Sequence, residues 1–366
     1  MGESESAAIP AIPADGLLLH IGVFKTGTTA LQETLRHSPE VLRGADVLYR
    51  GPSTWRFAPL RSLAQSDSPQ WRDLVQDVAQ HAGRVIVSSE NLCGSSDEEA
   101  AAIVRQLSGE RPVRILITIR SLAELLPSTW QQFLKRGMSQ PYEDWLKNVV
   151  ADAASGSDPF WRRNDFAGQV RRWGALVGPG NVTLVVSDKR KPDRLLRITE
   201  QFLALPEGSL QFHPAGKTNQ SLSHAEAELL RRVNEATFEG LGEAEYHRLV
   251  RLGVFPGMHR SQQSKAAPIP LPDWAADEME RIGHDQAAAL AASGAEVIGD
   301  LAALAQRPPD VAREQGAPDT ISMDAAAAAV IGALIATKRQ PASPAATPPA
   351  RRSLRSRLGA RLRRLR

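Results

Sequence analysis

The stretch HIGVFKTGTTALQ, His20 to Gln32, governs how the rest of the chain reads. Gly22 and Gly27 keep the G-x-x-x-x-G spacing of the loop that cradles nucleotide triphosphates, where a lysine directly follows the second glycine. Here Thr28 follows Gly27, and the lysine stands upstream as Lys25. Before the loop, Leu17–Ile21 (LLLHI) is a continuous apolar run, the pattern of a strand buried on both faces of a parallel sheet. After it, Thr29–Arg36 begins a helix with Leu31 and Leu35 one turn apart. Strand, loop and helix in that order aim backbone N–H groups and a helix N-terminus at one point, which attracts phosphate or sulfate. The glycines let the backbone come close, Thr28 and Thr29 add hydroxyls, and the Lys25 ammonium at the crest suits charge on a bridging or leaving oxygen. The competing reading is an ordinary Gly-Thr turn. An intact K-T-G-T-T, Lys25 to Thr29, in strand–loop–helix context favours the anion site.

Short apolar runs recur at Val85–Val87, Val113–Ile119 and Val182–Val186. Helical patterns separate them at Trp71–His81, Glu98–Leu107, Ala123–Lys135 and Asp165–Leu176. Strands alternating with helices predict an α/β fold with a central parallel sheet flanked by helices. From Ser223 the chain reads as helical, with loops, to about Gln306. The division expected is a disordered start over residues 1–15, one domain over 16–310 and a helical extension over 311–338. A proline-rich linker and an arginine-rich tail then occupy 339–366.

The chain has 366 residues, 42% hydrophobic and 23% charged, an ordinary globular balance. A single cysteine, Cys93, excludes an intramolecular disulfide and suits a reducing compartment. The first residues have neither the basic region nor the apolar core of a secretory signal, although Gly2 and Ser6 fit the loose myristoylation pattern. No window approaches the ~20 apolar residues of a membrane span. The longest candidate, Ala325–Ala336, is short and alanine-rich and reads as a helix. No Cys/His grouping has metal-ligand spacing, and no metal is expected. A cytoplasmic protein is the expectation.

A second motif sharpens the first. IRSLAELLPSTW follows the run Val113–Ile119, placing Arg120 at a strand end and Ser128 eight residues later. GVFKTGTT resembles the 5′-phosphosulfate loop of sulfotransferases that use 3′-phosphoadenosine 5′-phosphosulfate (PAPS), in a P-loop-like fold. The second motif resembles that family's R-x-P-x-D-R-x-x-S-x-Y, which binds the 3′-phosphate. Arg120 and Ser128 stand at its arginine and serine, Glu124 at its aspartate and Trp130 at its aromatic residue. Leu122 and Leu125 replace its proline and second arginine, so the match is partial. The likeness spans roughly Leu17 to Asn234, its later part similar to bacterial members. It implies a PAPS-dependent transferase acting on a carbohydrate or secondary metabolite. Lys25, Thr26, Gly27, Thr28 and Thr29 would hold the phosphosulfate, and Arg120 and Ser128 the 3′-phosphate. Lys217, in HPAGKTNQSLS, falls where the family has a basic residue closing over that phosphate. The bottom-up alternative for Arg120 is a simple pair with Glu124 one turn on.

Sulfuryl transfer needs a proton acceptor for the attacking group and positive charge on the departing oxygen. In RVIVSSENL, Glu90 lies just past a buried strand, at the sheet edge where such sites form. Carbohydrate-directed and several bacterial family members use a glutamate in a comparable place. The alternatives for Glu90 are a solvated loop carboxylate or a charge at a helix N-terminus. His20 is the next candidate base, although a packed histidine suits it better. Specificity is expected in the loops Tyr49–Ser68 and Ser139–Arg163. Two other functions stay open. A P-loop kinase would want the lysine after Gly27 and a carboxylate for Mg²⁺; a nucleotide-binding scaffold would act through its helical region and tail.

The tail carries its own signal. RRSLRSRLGARLRRLR, residues 351–366, holds eight arginines and no acid; removing those eight from the net charge of +3 leaves −5 for the remainder. Leu354, Leu358, Leu362 and Leu365 share one helical face. This is the pattern of an anchor at an anionic membrane surface, here the inner face of the membrane. A partner-binding helix, nucleic-acid contact or a solubilising end compete with it, and no nucleic-acid partner is expected.

Overall fold

The computed structural model describes residues 9–52, 60–66, 68–188, 190–213, 221–237, 240–261, 269–308, 311–312 and 316–338. The chain divides into two compact units, residues 1–236 with 264–321, and residues 237–263 with 322–366.

The first unit is an α/β structure around a six-stranded, all-parallel sheet. Its strands are β1 (Leu17–Gly22), β2 (Val47–Arg50), β3 (Arg84–Ser88), β4 (Val113–Ile119), β5 (Val182–Val186) and, after a separate short strand β6 (Leu271–Pro272), β7 (Glu296–Ile298). The spatial order is β2-β3-β1-β4-β5-β7, and β6 pairs with β8 (Val311–Ala312) apart from the sheet. β1 runs down the middle, with Leu17 opposite Val85 on one side and Val113 on the other. Covered on both faces, Leu17, Leu18, Leu19 and Ile21 have no exposed surface, which is why the run is continuously apolar rather than alternating. The intervening helices begin where the chain offers caps. Ser68 accepts from the Trp71 amide, and Ser96 and Glu99 form a reciprocal capping box.

The sheet has two more strands than the sequence indicates. β2 occupies the beginning of the expected specificity loop, and β7 lies inside a stretch read as helical. β7 has three residues, too few to show a period, and is set by distant partners. Arg114 and the Thr183 hydroxyl both reach Glu296 Oε2, at 3.1 and 2.9 Å. Residues 9–15 belong to the folded body, contrary to the expected disordered start. Ile9 and Ile12 are buried in a cluster with Phe202 and Leu203, and the Ile12 amide donates to the Phe202 carbonyl at 2.9 Å. The expected extension over 311–338 also divides otherwise: β8 pairs with β6, while the helix Met323–Thr337 belongs to the second unit. That unit comprises a short helix Glu243–Tyr246, a π-wound segment His247–Val254, a helix Phe255–Ser261 and the helix Met323–Thr337.

His20 is the one titratable side chain of β1. It is fully buried, its Nδ1 is 2.8 Å from the Ser88 hydroxyl, and its Nε2 has no partner among the described residues. Burial pushes its pKa down to about 3, so it stays neutral in the fold. The unfolded chain takes up a proton there below about pH 6.5, so acid favours unfolding, and stability at this site rises with pH up to that point. Between pH 6.5 and 5, replacing His20 with Gln should remove about 1–2 kcal/mol of the pH dependence of unfolding. Denaturant melts of both proteins across that range measure it, and parallel slopes would show that His20 is not held neutral.

Candidate functional site

The carboxyl ends of β1, β3 and β4 meet at one edge of the sheet, where open parallel sheets place their ligands. The loop after β1 is pinned from beneath by β4. The Val23 amide donates to the Thr118 carbonyl at 3.1 Å. The buried Thr26 hydroxyl lies 2.7 Å from the Val23 carbonyl and 2.6 Å from Thr118 Oγ1. Gly22 is required here. A Cβ at that position would lie 2.2 Å from Thr28 Oγ1 and 2.6 Å from Thr118 Oγ1. Thr28 Oγ1 is buried and has no hydrogen-bond partner among the described residues, so an unused hydroxyl stands at the loop's base.

Lys25 adopts φ 67° and Gly27 φ 91°. The second suits glycine. The first places a lysine in the left-handed region, at a cost of roughly 1–3 kcal/mol, the kind of outlier that clusters at ligand sites. The helix Thr28–Arg36 then starts with no capping side chain and no acid in its first turn, leaving its positive end for an anion. Thr29, its second residue, is exposed at that end. Burial, and then the charge of Arg120, lower the Lys25 pKa. Two cations held together raise each other's energy, and an anion between them relieves it.

Arg120 comes directly after β4. Its Nη1 donates to the Lys25 carbonyl at 2.9 Å, and its Nε donates to Glu124 Oε2 at 3.1 Å. The pairing with Glu124 anticipated for this motif is therefore formed, while the same guanidinium is brought against the phosphate loop. The Ser128 hydroxyl, one turn further along the helix Leu122–Leu134, donates to the Leu125 carbonyl at 2.9 Å. Lys217 lies outside the described residues.

Glu90 opens a single 3₁₀ turn, Glu90–Gly94, after β3. Gln32, from the helix that starts at the phosphate loop, donates to Glu90 Oε2 at 3.1 Å and to the Ser88 hydroxyl at 3.2 Å. One short helix thus links Lys25, in the loop before its first residue, and Glu90, bonded to Gln32 near its middle. Beside Glu90 a cavity of about 150 Å³ is lined by Thr29, Gln32, Glu33, Arg36, Tyr49, Pro52 and Glu90. Burial, then the charges of Glu33 and Glu90, raise the Tyr49 pKa, keeping it a neutral donor. On another side of the loop, Phe24 lies under two guanidiniums, Arg163 at 5.3 Å and Arg136 at 6.0 Å from the ring centroid. His20, being fully buried with a depressed pKa, is the packed histidine.

Sequence reasoning gave no role to Gln32 or Arg136, and reached Tyr49 and Arg163 only as bounds of loops expected to carry specificity. Gln32 alone had a readable signal: it falls one turn after Thr28 on a face that must bury, and a buried glutamine needs partners. The other three arrive from distant segments.

No family model matches the chain, and no curated protein matches it. Among solved structures, that of a sulfotransferase from Alicyclobacillus acidocaldarius resembles it with TM-score 0.38 and 16% identity, covering 64% of this chain and 96% of that one. A likeness this distant assigns neither fold nor activity.

Because Arg120 is shared between Glu124 and the loop, an anion in the loop competes with Glu124 for the guanidinium. Arg120→Ala should weaken binding of inorganic pyrophosphate by about tenfold or more, and Glu124→Gln should strengthen it several-fold. Calorimetric titration of the three proteins decides; equal affinities would detach Arg120 from the anion site.

Proposed function

We propose that the chain transfers a sulfuryl group from PAPS to a hydroxyl or amine of a carbohydrate or secondary metabolite. The observation that carries this reading is the helix Thr28–Arg36, which fixes an anion cradle at its start and, through Gln32, a carboxylate on the neighbouring strand end. Such a pairing suits a reaction in which one group loses a proton as another gains charge.

The residues fit the donor. Backbone N–H groups of the loop, the unused Thr28 hydroxyl and the Lys25 ammonium can take a 5′-phosphosulfate, and Arg120 a second phosphate. The acceptor would enter beside Glu90, in the cavity that Tyr49 and Arg36 line. As the acceptor oxygen or nitrogen attacks sulfur, Glu90 accepts its proton and the S–O bond to the 5′-phosphate breaks. The electron pair goes to the phosphate oxygen, where Lys25 and the helix N-terminus meet the growing charge. Gln32 holds the Glu90 carboxylate by one oxygen, leaving the other for the proton. This mechanism assigns no role to a metal.

Three expectations test the reading. Calorimetry should show 3′-phosphoadenosine 5′-phosphate binding without Mg²⁺, and more tightly than ATP with Mg²⁺; the reverse order would point to a kinase. In a sulfuryl-transfer assay, Glu90→Gln should lower turnover roughly 10²–10⁴-fold while leaving bisphosphate affinity intact. Lys25→Ala should lower turnover about 10²–10³-fold. Near-normal turnover of Glu90→Gln would place the base elsewhere.

A further inference from the structure

The helix Met323–Thr337 turns its small residues inward and its large ones outward. Ala325, Ala329, Gly332 and Ala336 are buried. Their size lets the backbones close in: a Cβ on Gly332 would lie 2.2 Å from the Gly253 carbonyl oxygen. On the other face Met323, Val330, Ile331, Leu334 and Ile335 are exposed, Met323 by 83% and Leu334 by 60%. Five of the eight large apolar residues exposed among the described residues thus lie on this one helix. Isolated exposed apolar residues need no explanation, but a concentration of this kind marks an interaction surface. No residue from Ala325 to Thr337 is charged.

The sequence after this helix has the opposite character. Residues 338–366 hold ten basic residues, Lys338, Arg339 and the eight arginines of 351–366, and no acid. The 11 residues from 340 to 350 between them span at most about 3.6 Å each, so an apolar helix face and a dense positive charge act within a few nanometres of each other.

We infer that this face and the arginine-rich segment together dock on an anionic lipid bilayer. A bilayer surface supplies both complements at once: an acyl boundary for the aliphatic stripe and acidic headgroups for the arginines. An acidic protein or a nucleic acid would answer the charge and leave the apolar face in water. A second copy would cover the face but bring two like-charged segments together. No described helix is long and apolar enough to cross a membrane, so the helix would lie shallowly at the interface. The inference is independent of the chemistry proposed for the first unit.

Flotation of the full chain with vesicles tests it, using phosphatidylcholine alone or with about 30% phosphatidylserine, at low salt and at about 0.5 M salt. The chain should float only with the anionic vesicles and be released by salt. Combined Val330→Ser, Ile331→Ser and Leu334→Ser, which leave charge unchanged, should cut the bound fraction about tenfold. A chain ending at residue 350 should lose binding as well, and circular dichroism melts of both variants confirm that they fold. Failure of the full chain to float, equal flotation on uncharged vesicles, or full binding by the triple variant would each overturn the inference. So would light scattering that shows a dimer converted to monomer by the triple substitution, since the face would then belong to a second copy.

Discussion

Thr118 on β4 holds the glycine loop after β1 from below, through the Val23 amide and the Thr26 hydroxyl, and the candidate site depends on that contact. It works only because Gly22 has no side chain, so the Thr28 and Thr118 hydroxyls come within a distance that a Cβ would forbid. With the loop fixed to the strand beside it, Lys25 is forced into a left-handed backbone at the crest and the next helix starts in a set direction. Strain of this sort persists only where surrounding contacts over-determine it. Here they do, because the sheet ladder on both sides of β1 is continuous and buried.

The electrostatics of the site are set from that fixed point. Burial, and then the nearby Arg120 charge, disfavour the charged form of Lys25, and Glu124 pairs with Arg120 from the next helix. Glu90 is held apart from this cluster on a different strand end, its carboxylate steadied by an uncharged amide rather than a cation.

The second unit obeys a different rule. The helix Met323–Thr337 approaches its neighbours through glycine and alanine and leaves its own large apolar residues outside. In water that arrangement has no internal reward, since exposed aliphatic surface is unfavourable. It becomes favourable when something apolar covers it, and the positive charge beyond Thr337 narrows what that can be.

Local sequence was enough for the parts that depend on neighbours in the chain. The loop with its displaced lysine, the apolar runs of β1, β3, β4 and β5, and the helix read from Thr29, which the fold begins one residue earlier, are local patterns, read from period and spacing. Arg120 and Glu90 were legible for the same reason, as residues just past apolar runs. Whatever depends on pairing across long separations came from the fold alone. β2 and β7 are too short to announce themselves, and β7 is fixed by Arg114 and Thr183, each more than a hundred residues away. Ile9 and Ile12 read as an unstructured start until Phe202 and Leu203 provide the surface that buries them. Tyr49, Arg136 and Arg163 acquire meaning only when the fold brings distant segments to one edge of the sheet. A residue's type and local spacing say what it can bond; which groups come within bonding distance is set by how the strands order themselves, and strand order is a property of the whole fold.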